Sequence, residues 1–204
     1  MVVIINYGMG NIGSISNMLK RIGAEAVVSS NPQEIRKAAR LILPGVGAFN
    51  NGMDNLNNLG LTFVLNEMVI QQKTPILGIC LGMQLMTKSS EEGSRPGLGW
   101  IDATTVRFKF GKEEQNLKIP HMGWNVIQWR KESVLFKDMP EEPRFYFVHS
   151  YHAVCNDKED ILATTNYGYD FVSAFQKGNI IGVQFHPEKS HKFGMQVLRN
   201  FIGL

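Results

Sequence analysis

The chain has 204 residues, 44% of them hydrophobic and 19% charged, which excludes a disordered polymer and suits one domain, residues 1–204, around one sizeable core. The formal net charge of +3 comes from Lys and Arg scattered among Asp and Glu, so no basic stripe points to nucleic acid. Two cysteines make no disulfide framework, no run reaches the roughly 18 apolar residues of a membrane span, and Val2 to Ile5 is too short for a signal peptide; a cytoplasmic protein with no membrane partner is expected.

In chain order, Val2 to Ile5 reads as a buried strand, and Gly8, Gly10 and Gly13 lead into a helix with Ile12, Ile15, Leu19 and Ile22 inward. Ala26 to Val28 is a second strand. Asn31-Pro32-Gln33-Glu34 predicts a helix start, with an Asn cap and Pro at the first helical position. Leu41 to Leu43 is a third strand, broken by Pro44-Gly45-Val46-Gly47. Leu61 to Gln72 is expected as a helix, Ile76 to Ile79 as a fourth strand, and a further helix begins near Met83. This alternation predicts a largely parallel central sheet with helices on both faces. Later, Thr104 to Phe108, Val126 to Trp129, Phe145 to Val148, Ile161 to Thr165, Phe171 to Phe175 and Ile180 to Gln184 read as strands with short links, so some antiparallel pairing is expected in the second half. Ser190 is placed to cap a final helix, with Phe193, Val197, Leu198, Phe201 and Ile202 inward.

The sharpest chemical signal is Gly78-Ile79-Cys80-Leu81-Gly82, between an apolar strand and a helix. It has the form of the hydrolase elbow, in which a tight turn lifts the nucleophile from the sheet and glycines two residues away avoid a clash. The helix start behind Cys80 favours negative charge, which suits a thiolate. A buried structural cysteine is the plain alternative. A thiolate catalyst needs an imidazole with an orienting group. Of the five histidines, His186 stands out, because Glu188 lies two residues on in extended chain and so points to the same side. Taken alone, that pair reads better as a surface turn with a solvated histidine; the elbow about a hundred residues upstream reverses the balance and makes it a candidate base and orienter. Backbone N–H groups for an oxyanion come from Leu81 and from the 44–47 turn, which lies on the same sheet edge as Cys80.

Gly8-Met9-Gly10-Asn11-Ile12-Gly13 also matches the dinucleotide fingerprint. That fingerprint wants an acid near the end of the second strand. Val27-Val28-Ser29-Ser30-Asn31 holds neither an acid nor an arginine, so dinucleotide binding is a remote alternative. A scaffold role leaves the elbow and the His-x-Glu pair without purpose.

Gly78 to Gly82 with Gln84 following, together with His186-Pro187-Glu188, resemble the class I glutamine amidotransferase family. Asn6 to Asn11, Pro44 to Gly47, Glu91-Glu92-Gly93, Pro120 to Asn125 and Val148 to Tyr151 are similar, in the same order, to family members that pair with a (β/α)₈-barrel cyclase. The resemblance covers essentially the whole chain. It implies an α/β fold, hydrolysis of L-glutamine through a γ-glutamyl thioester, and delivery of ammonia through the barrel, without metal or cofactor. Cys80 is then the nucleophile, His186 the base and Glu188 its orienter. Val46 joins Leu81 as an oxyanion donor. Gly47, Gln84 and Glu92 line the glutamine pocket, with Ser150 and Tyr151 from a later loop, while Met9, Asn11, Trp124 and Lys189 face the partner. The resemblance further implies that the Val46 N–H turns inward only in the complex. The expected pathway is histidine biosynthesis, and the alternative is amidination of a surface-polysaccharide sugar by a paralogous pair.

Overall fold

The computed structural model describes residues 1–114, 116–140 and 142–204. The first half runs β1 (Val2–Ile5), α1 (Ile12–Arg21), β2 (Ala26–Ser29), α2 (Pro32–Ile35), β3 (Arg40–Leu43), α3 (Phe49–Asn58), α4 (Leu61–Asn66), β4 (Ile76–Ile79) and α5 (Leu81–Leu85). These strands pair in parallel in the order β2-β1-β3-β4. β1 and β4 are buried throughout and consist almost wholly of Val, Ile and Leu, as strands covered on both faces must be. Alternate side chains feed two cores. Val3, Ile5, Leu41 and Leu43 meet α3 and α4 through Phe49, Met53, Leu56 and Leu65. Val2, Ile4, Ile42 and Leu77 face the other way, towards Ile15 and Leu19 of α1.

The second half adds β5 (Ser89–Ser90), β6 (Ala103–Arg107), β7 (His121–Val126), β8 (Gln128–Trp129), β9 (Arg144–His149), β10 (Tyr151–Cys155), β11 (Ile161–Tyr167), β12 (Tyr169–Lys177), β13 (Ile180–Val183) and α6 (His191–Ile202). β13 returns to lie parallel beside β4, residue for residue from Ile180 against Ile76 to Val183 against Ile79. Beyond it the sheet turns antiparallel through β12, β10 and β6, while β7 and β9 form a separate antiparallel ribbon. α6 buries Val197, Leu198 and Phe201 on the α1 side of the sheet. Among the described residues no helix is long and apolar enough to cross a membrane.

Several elements differ from expectation for identifiable reasons. α3 was not expected: five asparagines and a glycine in ten residues are poor helix formers. Tertiary burial of Phe49, Met53 and Leu56 at helical spacing overrides that propensity. The expected helix from Leu61 to Gln72 is α-helical only to Asn66; Glu67–Gln71 then winds wider, and the Gln72 N–H reaches back five residues to the Glu67 carbonyl at 3.0 Å. α5 starts at Leu81, directly after the cysteine, rather than near Met83. The expected strand from Val126 to Trp129 divides, Val126 ending β7 and Gln128 opening β8. Asn31 does cap α2, its side chain accepting the Gln33 N–H at 2.9 Å. Ser190 stands at the start of α6, but its hydroxyl is used elsewhere. It donates to the His186 carbonyl at 2.6 Å and accepts the Tyr146 N–H at 3.0 Å, tying the 186–190 turn to β9.

α5 crosses closely over the ends of β3 and β4. A methyl group at Gly82 would overlap the Leu43 carbonyl oxygen, and one at Gly78 would lie 2.8 Å from both the Gly82 oxygen and the Met83 nitrogen. Because these neighbours are backbone, they have no rotamer with which to yield. Gly82→Ala is therefore expected to cost about 3 kcal/mol, the upper end of overpacking penalties, measured as the shift in urea unfolding.

Candidate active site

The chain leaves β4 at Cys80 with φ +53° and ψ −108°, a left-handed conformation costing on the order of 1–3 kcal/mol in a residue other than glycine. Two anchors hold it. The Cys80 N–H donates to the Val183 carbonyl at 2.8 Å, and α5 begins at the next residue. The thiol lies 3.6 Å from Gln184 Nε2, which donates to it, and 3.9 Å from the Val148 carbonyl.

His186 follows β13 on the strand beside the cysteine. Its backbone N–H donates to the Tyr146 carbonyl at 2.9 Å. Its Nδ1 lies 2.8 Å from Glu188 Oε1, and both side chains are only 1% exposed, so the i, i+2 spacing across Pro187 does bring ring and carboxylate together. Burial opposes a charged imidazole here, but Cys80 on one side and Glu188 on the other outweigh it and lift His186 from 6.5 to about 10. Among the described residues the outer nitrogen, Nε2, and Glu188 Oε2 have no hydrogen-bond partner.

Cys80 and His186 open into a cavity of about 320 Å³. Val46, Gly47, Leu81, Gln84, Glu92, Ser150 and Tyr151 line the same cavity, so these candidates share one space. Glu92 is held there by the start of α3, its Oε2 accepting the Phe49 N–H at 2.9 Å, where a helix favours negative charge. Gln84 is buried and spans the wall, its Nε2 donating to the Tyr151 carbonyl at 3.0 Å and to Gln184 Oε1 at 3.1 Å. A larger groove of about 550 Å³, lined by Trp129, Lys131, Val134 and Phe136 among others, includes neither Cys80 nor His186.

The two oxyanion candidates stand differently. The Leu81 N–H is occupied, donating to the Gly45 carbonyl at 3.3 Å. In a trans peptide the N–H points opposite the C=O, so with the Gly45 carbonyl aimed at Leu81 the Val46 N–H faces away from it. Around this loop the packing is close. Tyr7 is fully buried and donates its hydroxyl to the Pro44 carbonyl at 2.6 Å. A methyl group at Gly10 would lie 2.7 Å from Pro44 Cβ, and one at Gly47, whose φ is +110°, 2.9 Å from Met9 Cε. The N-terminal glycine motif thus fits against the 44–47 loop.

The four residues assigned to the partner side lie outside the cavity lining. Met9 and Asn11 are half-buried, and Met9 touches Gly47. Trp124 is 47% exposed and stacks on His191 with ring centroids 5.3 Å apart. Lys189 sits with its Nζ 5.4 Å over the Tyr146 ring. Sequence reasoning gave no site role to Gln184, nor to His149, Val148, Pro120 and Tyr7, which it met only inside family-like motifs. For Gln184 a signal existed: it precedes His186 by two residues in an extended run, and so shares its face.

A parallel α/β sheet carrying a cysteine elbow and a buried His–Glu pair on adjacent strand ends defines a thiol amidohydrolase-type site. The chain belongs to the class-I glutamine amidotransferase family, whose model matches residues 3–203. It is 56% identical over 202 residues to imidazole glycerol phosphate synthase subunit HisH 2 of Methanococcus maripaludis, covering 99% of this chain and 98% of the relative. It is 50% identical over 204 residues to subunit HisH 2 of Pseudomonas aeruginosa, with full coverage of both. Among solved structures, one described as a glutamine amidotransferase superposes with a TM-score of 0.72 at 20% identity, covering 100% of this chain and 98% of the other, and supports the fold.

Two outcomes are expected from the site's chemistry. Cys155 is pushed up to about 12 by burial first and then by Asp160, Asp157 and Asp102, whereas Cys80 opens into the cavity. Iodoacetamide at pH 7.5 should therefore modify Cys80 and spare Cys155, read by peptide mass spectrometry; preferential labelling of Cys155 would contradict the site. The second concerns stability. Because the folded pKa of His186 is raised, its contribution is complete below the unfolded value near 6.5 and is lost as pH rises through about 10. Glu188→Gln removes part of that support. The stability gap between wild type and variant should be widest near pH 6 and narrow steadily towards pH 10; a gap independent of pH would show that the pair is uncharged.

Proposed function

We propose that residues 1–204 act as one glutaminase domain, the glutaminase subunit of an imidazole glycerol phosphate synthase, which hydrolyses L-glutamine and passes the ammonia to a (β/α)₈-barrel cyclase. The observation that carries the reading is the convergence of Cys80, the His186–Glu188 pair and the Gln84–Glu92 wall on one amino-acid-sized cavity. Cys80 Sγ attacks the γ-amide carbon of glutamine. His186, which already holds the proton drawn from the thiol, gives it to the departing nitrogen, so that ammonia leaves and a γ-glutamyl thioester remains. His186 then takes a proton from water as it attacks the thioester, freeing glutamate and the thiol. Glu188 fixes the ring and stabilises its charged form. Glu92 offers a carboxylate to the substrate's ammonium group.

The backbone supports a gated version of this chemistry. With the Leu81 N–H bonded to the Gly45 carbonyl, the oxyanion donors are out of service. Rotating the single Gly45–Val46 peptide frees Leu81 and turns the Val46 N–H inward, and Gly47 supplies a conformation that other residues resist. Met9, Asn11, Trp124 and Lys189 form the proposed partner side, and a barrel seated there is in a position to drive the rotation through Met9. Each missing oxyanion donor is worth about 10²–10³ in rate.

A second reading is kept by one observation: the relatives from M. maripaludis and P. aeruginosa both carry the number 2 in their names, as members of a second, paralogous pair would. In that case the ammonia goes to a surface-polysaccharide sugar, and the glutaminase half is unchanged. The test is steady-state turnover of the chain alone, with its barrel partner, and with partner plus acceptor. Glutamine hydrolysis is expected to rise by at least about 10²–10³ across the series, the worth of one restored oxyanion donor. Cys80→Ala should abolish glutamine-dependent synthesis yet leave ammonia-dependent synthesis intact. Equal turnover in all three states would sink the gate, glutamine-dependent synthesis by Cys80→Ala would sink the nucleophile, and the acceptor that supports synthesis decides between the two pathways.

A further inference from the structure

Behind the cavity, outside the triad, lie two buried histidines that the reaction does not use. His121 on β7 and His149 on β9 are cross-strand partners, 3% and 6% exposed, and His149 lines the cavity. Their contacts form a continuous series. Asn125 Nδ2 lies 3.3 Å from His121 Nε2, His121 Nδ1 lies 3.1 Å from His149 Nε2, and His149 Nδ1 lies 2.7 Å from the Tyr151 carbonyl. Gln84 donates to that same carbonyl and to Gln184, which donates to the Cys80 sulfur.

The direction of every bond is determined. A carbonyl only accepts, so His149 carries its proton on Nδ1. In a neutral ring Nε2 is then bare and accepts, so His121 must also be protonated on Nδ1 and bare on Nε2. Asn125 is fixed in the complementary sense, because its Oδ1 accepts the Val126 N–H at 2.8 Å and its amide nitrogen donates to the Asn166 carbonyl at 2.9 Å. A second proton on either ring would set two donors against each other. The surroundings enforce neutrality. Burial lowers His121 to about 4, and burial first, with repulsion from neighbouring histidines, holds His149 well below 6.5.

We propose that His121 and His149 are positioning residues for the glutaminase reaction: a neutral imidazole relay that sets the Tyr151 carbonyl and the Gln84 amide, and so ties the shape of the glutamine pocket to the placement of β7. β7 shows Met122 and Trp124 on its outer face, 62% and 47% exposed, so one strand carries both the exposed pair and the head of the relay. The proposal rests on the glutaminase reading, and its test separates the two.

The measurement is protection of Cys80 from iodoacetamide by L-glutamine on the full chain, which reports pocket binding without turnover. His121→Phe keeps a flat ring between Phe147 and Tyr167, whose centroids lie 4.9 Å and 4.1 Å away, and removes both nitrogens. The half-protecting glutamine concentration should rise about tenfold, the order expected for a lost buried hydrogen bond, while alkylation without glutamine stays within about twofold. His121→Asn, which restores a donor near Nδ1, should recover to within about threefold of wild type. If His121→Phe does not fold, Asn125→Ala at the head of the relay decides, with a shift of about threefold in the same direction. A lowered thermal midpoint with unchanged glutamine protection would mean that the histidines only fill the core, and would overturn the relay. Wild-type chain left unprotected by glutamine would overturn the glutaminase reading and the relay with it.

Discussion

The close crossing of α5 over the ends of β3 and β4 governs the site. It exists because Gly82 offers no side chain to the Leu43 carbonyl and Gly78 none to the α5 backbone. That contact does more than stack a helix on a sheet. It puts Cys80 at the turn, in a conformation that the rest of the structure must hold. It also brings the 44–47 loop, which leaves β3 at Leu43, over Leu81. β13 then docks along β4 in register, so the chain emerging after Val183 delivers Gln184 and His186 beside the thiol. Three parts of the proposed machinery therefore share one geometric cause, and none of them is adjacent in sequence to the others.

Electrostatics divides the histidines of this region into two classes with the same intrinsic chemistry. His186 lies between a thiol and a carboxylate and is raised; His149 lies among aromatic rings and other imidazoles and is lowered. The two are coupled, since His186 is among the groups that suppress the charged form of His149. A positive His186 is thus compatible with a neutral relay behind it. The arrangement keeps a charged imidazole where the proposed bond-breaking occurs and uncharged, directional hydrogen bonds around the Tyr151 carbonyl and the Gln84 amide.

Much of the first half was legible because its signals are local. Short apolar strands, an Asn–Pro helix start and a Gly-x-Cys-x-Gly turn each report their own conformation. The elbow and the His-x-Glu spacing were legible for the same reason. α3 was not, because its asparagines argue against a helix and only the packing of Phe49, Met53 and Leu56 argues for one. β7 and β10 were hidden by interspersed polar residues such as His121, Asn125 and His152, which are satisfied by partners far along the chain. Tyr7 escaped for a related reason. Its partner, the Pro44 carbonyl, lies 37 residues along the chain, and such a pairing has no one-dimensional signature.

The glycine motif at the N-terminus shows how one spacing can solve different problems. In a dinucleotide fold, glycines after the first strand make room for a pyrophosphate. Here the neighbour is the chain itself. Pro44 fills the space against Gly10, and Met9 lies on Gly47. The consequence is mechanical. Met9 is half-buried, with one side on the outer surface and the other on the loop whose peptide must turn for Val46 to serve the oxyanion. In the proposed complex, pressure on Met9 is transmitted to a glycine already at φ +110°, across a contact with little free space to absorb it. Such tight packing favours discrete arrangements of a loop over a continuum, which is what the proposed switch operated from the partner side requires.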